Sequence, residues 1–190
     1  MPGLSFSAER ILNPRELTRV FDVGTAPKEG GIYAWWFTPG ALRVPAREYA
    51  TTDGFDLLYT GISPRKPTAA GKASTGNVRS RLRSHAKRDA SWSTLRLSLG
   101  ILLADDLGLT LALHAGRVHW GTGEAVLTGW MQRHARVSWV RDPAPWIVED
   151  ELLAASNVPL NIDQHLHDPF SRELTQRRID AKAAARSEGL

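Results

Sequence analysis

The chain has 190 residues, enough for one domain with a core of its own, and its 42% hydrophobic and 23% charged content is that of an ordinary globular protein. It holds no cysteine, which excludes disulfide frameworks, thiolate zinc sites and cysteine nucleophiles. No basic run precedes an apolar stretch at Met1-Pro2-Gly3-Leu4-Ser5, and no later apolar run reaches membrane-spanning length, so the chain reads as cytoplasmic. The net charge is a modest +4, but it is unevenly spread. From Leu57 to Arg88 there is no acidic residue, whereas Arg65, Lys66, Lys72, Arg79, Arg81, Arg83, Lys87 and Arg88 are all cationic, which leaves the remainder net acidic. A stripe of one sign fits either a solvated helix face or the footprint of a polyanion, whose phosphates release counterions when Lys and Arg approach.

In chain order, Pro14-Arg15-Glu16-Leu17 reads as the opening of a short helix. Gly30-Gly31 then breaks the chain, and Ile32-Tyr33-Ala34-Trp35-Trp36-Phe37 has the unbroken apolar character of a buried strand. Residues 39–53 are punctuated by Pro and Gly, and Gly54 leads into a second strand, Phe55 to Ile62, expected to pair with the first. The segment from Ser63 to Gly76 has the composition of a mobile basic loop. The following helix carries Val78, Leu82 and Ala86 at four-residue spacing, with Ser74 or Thr75 as its cap. Ser93 to Leu107 reads as helix, Leu109 to His114 and Arg117 to Trp120 as a hairpin about Ala115-Gly116, and Glu124 to His134 as helix. A short strand at 137–140, a last core helix with Pro145 in its first turn, and a polar helical extension over 169–190 that frays into a tail complete the pattern.

Three features point to chemistry. Tyr33 and Tyr59 lie on adjacent strands beside glycines, so paired strands let the two phenols share one face; a strand tyrosine is more often simple half-buried packing. Arg81 and His85 are one helical turn apart and so lie on one face, where a fixed guanidinium can grip a phosphate with two donors. Glu149 falls beside Leu152 and Leu153 on the packed side of its helix, while Asp150 and Glu151 point outward. A partly buried carboxylate needs a basic partner or a divalent cation. Asn161, in Pro159-Leu160-Asn161-Ile162, reads alone as a loop residue whose amide caps backbone groups.

Taken together these residues resemble the GIY-YIG nuclease family in type, order and local spacing. Gly31-Ile32-Tyr33 matches the first signature, and Tyr59-Thr60-Gly61 the second, with Thr60 in place of the usual apolar residue and facing away from the phenol. The helix with Arg81 and His85 is similar to the family's Arg helix, and Glu149 followed by Pro159-Leu160-Asn161 to its Glu helix and closing Pro-Asn element. The departures are insertions: residues 38–54 between the signature strands, the long loop before the Arg helix, and a stretch of roughly 109–134.

The resemblance implies a single α+β domain spanning 1–190 with its core at about 30–161. It implies a small antiparallel three-stranded sheet flanked by helices, with inserted loops and an extra hairpin. It also implies a metal-dependent endonuclease, hydrolysing phosphodiesters in DNA more than RNA with one Mg2+ or Mn2+ held by Glu149. Tyr33 would activate water with help from Tyr59 or His85, Arg81 would stabilise developing phosphorane charge, and Asn161 would hold the Glu149 region or a phosphate oxygen. Arg65, Lys66, Lys72, Arg79, Arg83, Lys87 and Arg88 would follow the nucleic-acid backbone. An idle nucleic-acid-binding or protein-interaction module on the same fold is the alternative.

Overall fold

The computed structural model describes residues 3–68, 74–87 and 89–187. Its centre is an antiparallel sheet of five strands in the order β1-β7-β2-β4-β3, two more than the family resemblance implied. β2 (Gly31–Phe37) runs down the middle, pairing along its length with β4 (Phe55–Ser63) and β7 (Ala135–Arg141). Every β2 residue is buried, as an unbroken apolar run requires when both faces are covered. The two additional strands are two-residue edges: β1 (Thr18–Arg19) on β7, and β3 (Thr51–Thr52) on the start of β4. The β3–β4 turn is Asp53-Gly54, both at positive φ (49° and 76°), the conformation that tight hairpins demand and that this dipeptide supplies.

Alternation along β2 divides the core. Ile32, Ala34 and Trp36 face α1 (Phe6–Leu12) and α6 (Pro145–Ala155), with Leu57, Val148 and Leu152. Tyr33, Trp35 and Phe37 face the other layer, where a 3-10 turn (Val20–Thr25), α2 (Val78–Lys87), α3 (Thr94–Leu102) and α5 (Gly123–His134) pack. The register of β2 and β4 slips between Trp35 and Trp36: Trp35 opposes Tyr59 but Trp36 opposes Leu57, so Leu58 is the extra residue of a bulge. The bulge sends Leu58 and Tyr59 to the same side as Tyr33.

Several local expectations are corrected. The first helix lies upstream of Pro14, at Phe6–Leu12, where Ser5 caps it by accepting from Ala8 N–H; Pro14 to Leu17 is the irregular lead into β1. The cap of α2 is Asn77, neither Ser74 nor Thr75: Asn77 Oδ1 accepts from Ser80 N–H at 2.9 Å, and the Pro27 and Glu29 carbonyls take the first helical N–H groups. Ser93 to Leu107 is helical, split into α3 and α4 (Ala104–Leu107), and the hairpin forms as β5 (Ala112–His114) and β6 (Arg117–His119). The C-terminal segment packs as α7 (Pro169–Ser187), a 19-residue helix that docks on α3 and β5, burying Ser171, Leu174 and Ala185. Among the described residues no helix is long and apolar enough to cross a membrane.

Candidate active site

Beyond its first two residues β4 has no strand on its outer side, and the backbone there must find other partners. The segment after α6 supplies them. Leu160 N–H donates to the Leu58 carbonyl at 3.0 Å. Asn161 then acts as a one-residue strand: its Oδ1 accepts from Thr60 N–H at 2.9 Å and its Nδ2 donates to Thr60 O at 3.0 Å, with Thr60 Oγ1 at 3.4 Å. The buried Asn161 carboxamide is thus committed to β4, and Thr60, fully enclosed, is part of that bond network. Asn161 thereby holds Thr60, between Tyr59 and Gly61, and it lines the pocket that contains Glu149.

The glycines of both signatures answer to close approaches. A Cβ on Gly31 would lie 2.2 Å from the Val140 carbonyl on the neighbouring strand. Gly61 sits opposite Tyr33, and a Cβ there would lie 2.5 Å from the Tyr33 hydroxyl, so the second glycine is the floor on which the first tyrosine lies. From that position the Tyr33 hydroxyl meets His85 Nε2 at 2.9 Å. His85 is fully buried, its ring edge-on to Trp35 and Tyr59, and its Nδ1 lies 2.7 Å from Ser93 Oγ. Ser93 caps α3, accepting from Arg96 N–H. The buried Arg96 donates to the His85 and Ala86 carbonyls and pairs with Glu124 at 2.5 Å. Glu124 in turn accepts from Ala90 and Trp120 N–H, so one buried ion pair fixes the end of α2 that carries His85.

Burial, then the neighbouring Tyr59, pushes the Tyr33 phenol well above its ordinary value. Burial, then the Arg81 and Arg96 charges, holds His85 well below its ordinary 6.5. A neutral imidazole between two hydroxyls donates at one nitrogen and accepts at the other, so Tyr33 and Ser93 take opposite roles toward it. Burial also raises the Tyr59 phenol, against the lowering influence of Arg81. Arg81, half-buried, faces both phenols and donates to the Trp92 carbonyl at 3.3 Å. Tyr33 shows solvent only 1% of its surface, so the groups that meet solvent are Tyr59, Arg81 and Glu149.

α6 crosses the opposite face and brings Glu149 to the β4 edge, in a pocket of about 60 Å³ with Tyr59, Thr60, Thr94, Asn161 and Arg178. Burial, then Asp150 beside it, raises the Glu149 carboxyl to about 7. Among the described residues no hydrogen-bond donor or salt-bridge partner meets this carboxylate, and no group of three or more His, Asp and Glu clusters there or elsewhere. Glu151, expected to point outward, accepts from Ser5 N–H at 3.0 Å and ties α6 to the cap of α1.

The cationic residues divide. Arg65 and Arg81 line a cleft of about 520 Å³ beside the tyrosines. Arg79 donates to the Ala26 carbonyl, and Arg83 extends along Gly24, both toward the 3-10 turn. Lys66 and Lys87 are exposed and do not line the cleft, and Lys72 and Arg88 lie outside the described residues. The remaining cleft cations come from elements that sequence reasoning set aside: Arg117 of the hairpin, and Arg178, Lys182 and Arg186 of α7. Their signal was present as an i, i+4, i+8 spacing on one helix face. Trp92, 45% exposed, lines the same cleft.

Compared with curated proteins and with solved structures, the chain finds no significant match. A family model described as the GIY-YIG catalytic domain matches residues 31–180, from the first signature glycine into the middle of α7. That span contains both tyrosines, the Arg helix, Glu149, Asn161 and Arg178, and on it the chain belongs to the GIY-YIG catalytic domain family.

Proposed function

We propose that the chain is a divalent-cation-dependent endonuclease that hydrolyses phosphodiester bonds in DNA. The observation that carries this reading is the convergence at the β4 edge of two phenols, a guanidinium and an unpartnered half-buried carboxylate, opening on a cleft lined by six cations and no acid. Glu149 suits a hard divalent ion: its carboxyl, raised to about 7, recovers its charged form when a cation is beside it. With Asn161 occupied by Thr60, Glu149 is the half-buried carboxylate of this pocket, while Asp163, which also lines it, is exposed and lies 3.9 Å from Arg178; Glu149 would hold the Mg2+ or Mn2+, with water and a phosphate oxygen as its other ligands. Bound there, the ion supplies Lewis-acid stabilisation of charge on oxygen.

The chain's own groups account for the rest. Arg81 offers the phosphate paired donors and opposes the charge that develops on it. The attacking water meets Tyr59, the phenol open to solvent, and its proton is passed from Tyr59 through Tyr33 to His85 Nε2, already within a hydrogen bond of Tyr33. This transfer needs neutral His85 to start, which its lowered basicity secures through neutral pH. Tyr59 lines the pocket that holds Glu149, so the water it orients lies beside that carboxylate.

The test is nicking of supercoiled plasmid with Mg2+, with Mn2+ and with chelator. Cleavage is expected only with the cation and falls at least ~100-fold in Arg81→Ala and Glu149→Gln, with low-salt DNA binding retained by the latter. Cleavage that persists in chelator, or survives Glu149→Gln, refutes the proposal.

A further inference from the structure

α7 docks along a stripe of residues spaced three and four apart: Ser171, Leu174 and Ala185 are buried, and Ala181 packs against the same core. Arg178 falls in the middle of that stripe, between Leu174 and Ala181, where docking calls for an aliphatic side chain. Its side chain is accordingly only 13% exposed. A guanidinium carries five N–H donors, and burial obliges them to find acceptors. Among the described residues none of them makes a hydrogen bond; the salt-bridge partner, Asp163, is 3.9 Å away and itself 72% exposed. A pairing that long and that wet is worth little and does not account for the burial. Lys182, one turn on, is held below its ordinary value by burial and then by Arg178, so the Arg178 charge is felt rather than cancelled.

Arg178 and Thr94 are the two residues that line both the Glu149 pocket and the cationic cleft, so the guanidinium stands on the boundary between them. Glu149 and Arg178 thus share one pocket of about 60 Å³, the carboxylate half-buried and the guanidinium more deeply so, yet among the described residues no salt bridge joins them. Opposite charges that share a small pocket without pairing are reconciled by one kind of occupant: a divalent cation on the carboxylate, with a phosphate oxygen on the guanidinium. Arg81 stands on the other side, lining the cleft and facing the two phenols without lining the Glu149 pocket.

We infer that Arg178 is a second phosphate-gripping arginine of the reaction centre: its guanidinium takes the oxygens of the scissile phosphodiester from the Glu149 side, while Arg81 takes them from the side of the phenols. Between substrates Asp163 holds the guanidinium loosely, and the incoming phosphate displaces it. The inference deepens the nuclease reading and rests on it for the bond that is cut; the grip on phosphate is measured without cleavage.

The experiment uses the full chain, with a blunt duplex DNA oligonucleotide for binding and supercoiled plasmid with Mg2+ for nicking. Binding is followed across a salt series in chelator, in the Glu149→Gln background. Adding Arg178→Ala is expected to flatten the log–log salt dependence by about 0.9, the release for one phosphate contact on duplex DNA, and Arg178→Lys to leave the slope as it was. In nicking at saturating plasmid, Arg178→Ala lowers kcat roughly 100-fold, with the loss in kcat rather than KM. Arg178→Lys stays slow because an ammonium lacks the paired donors, and free guanidinium at sub-denaturing concentration restores part of the rate to Arg178→Ala. Arg177→Ala is the control for docking, because Arg177 donates to the Ile101 carbonyl at 2.8 Å and ties α7 to α3. It should lower the melting temperature and leave kcat near that of the wild type. An Arg178→Ala protein with wild-type salt slope and kcat overturns the inference. So does an Arg177→Ala protein that loses kcat as severely, since the effect then belongs to the docking of α7. Absence of nicking by the wild type, with the Arg178-dependent slope present, would instead refute the nuclease reading alone.

Discussion

Replacing Glu149 by Gln removes a charge while keeping shape, and its effect on stability follows from where that carboxyl sits. In the fold it titrates at about 7 against an ordinary 4.5, because burial and Asp150 disfavour its ionised form. A group raised in the folded state stabilises fully below its unfolded value, and that contribution is lost as pH rises through the folded one. Below about pH 4.5 the protonated Glu149 and a Gln are equivalent. Between 4.5 and 7 the wild type loses ground, and above 7 the full penalty is in place. At about 1.4 kcal/mol per pH unit the interval amounts to about 3 kcal/mol, and solvent at the pocket mouth reduces this to about 2 kcal/mol. Urea denaturation in chelator from pH 4.5 to 8.5 measures it: the two proteins coincide at the acid end, and Glu149→Gln becomes the more stable by about 2 kcal/mol above pH 7. Magnesium at ~100 times its Kd then returns about 2.7 kcal/mol to the wild type and nothing to the variant. Parallel pH profiles in chelator would refute the account of Glu149 as an uncompensated buried carboxylate.

Three other substitutions test the scaffold. Gly61→Ala puts a Cβ 2.5 Å from the Tyr33 hydroxyl and must push the phenol off His85; thermal unfolding should report a cost of about 1–3 kcal/mol, and nicking should slow ~100-fold. Asn161→Ala strips the partners from Thr60 N–H and C=O, both enclosed, and should cost about 2–5 kcal/mol in denaturant midpoint experiments. Glu124→Ala leaves the buried Arg96 charge unpaired and frees the Ala90 and Trp120 N–H groups, so a loss of about 3–5 kcal/mol is expected from calorimetry, with His85 detached from Ser93 in its imidazole NMR signals. A stability change under 1 kcal/mol in either of the last two would show that the network is ornamental.

The parts of the fold that were legible are those encoded within a few residues. Gly31 to Phe37 reads as a central strand because all of it must be apolar when both faces are covered, and the Arg helix reads from Val78, Leu82 and Ala86. The Asp53-Gly54 turn was equally local, and its hairpin went unread only because the strand it returns, Thr51-Thr52, is too short to show alternation. β1 has no signature of its own: Thr18 and Arg19 are strand because the exposed edge of β7 accepts them. Hence the sheet has five strands where local pattern and family resemblance gave three.

At the site the same line separates what was readable. The sequence by itself determined that two glycine-flanked tyrosines, an Arg and His one turn apart, a carboxylate beside apolar neighbours and a Pro-Leu-Asn element occur in a fixed order, because each is a short-range arrangement of residue types. Only the tertiary structure decided what faces what. It turned Asn161 onto Thr60, since an unpaired strand edge claims the nearest amide, and it sent Arg79 and Arg83 away toward the 3-10 turn. It also gave Arg178, Lys182 and Arg186 a cleft to line, because burial of Ser171, Leu174 and Ala185 docks α7 against α3 and β5. A cationic helix face has one pattern whether it faces open solvent or the wall of a cleft; the contacts on the helix's other side decide which.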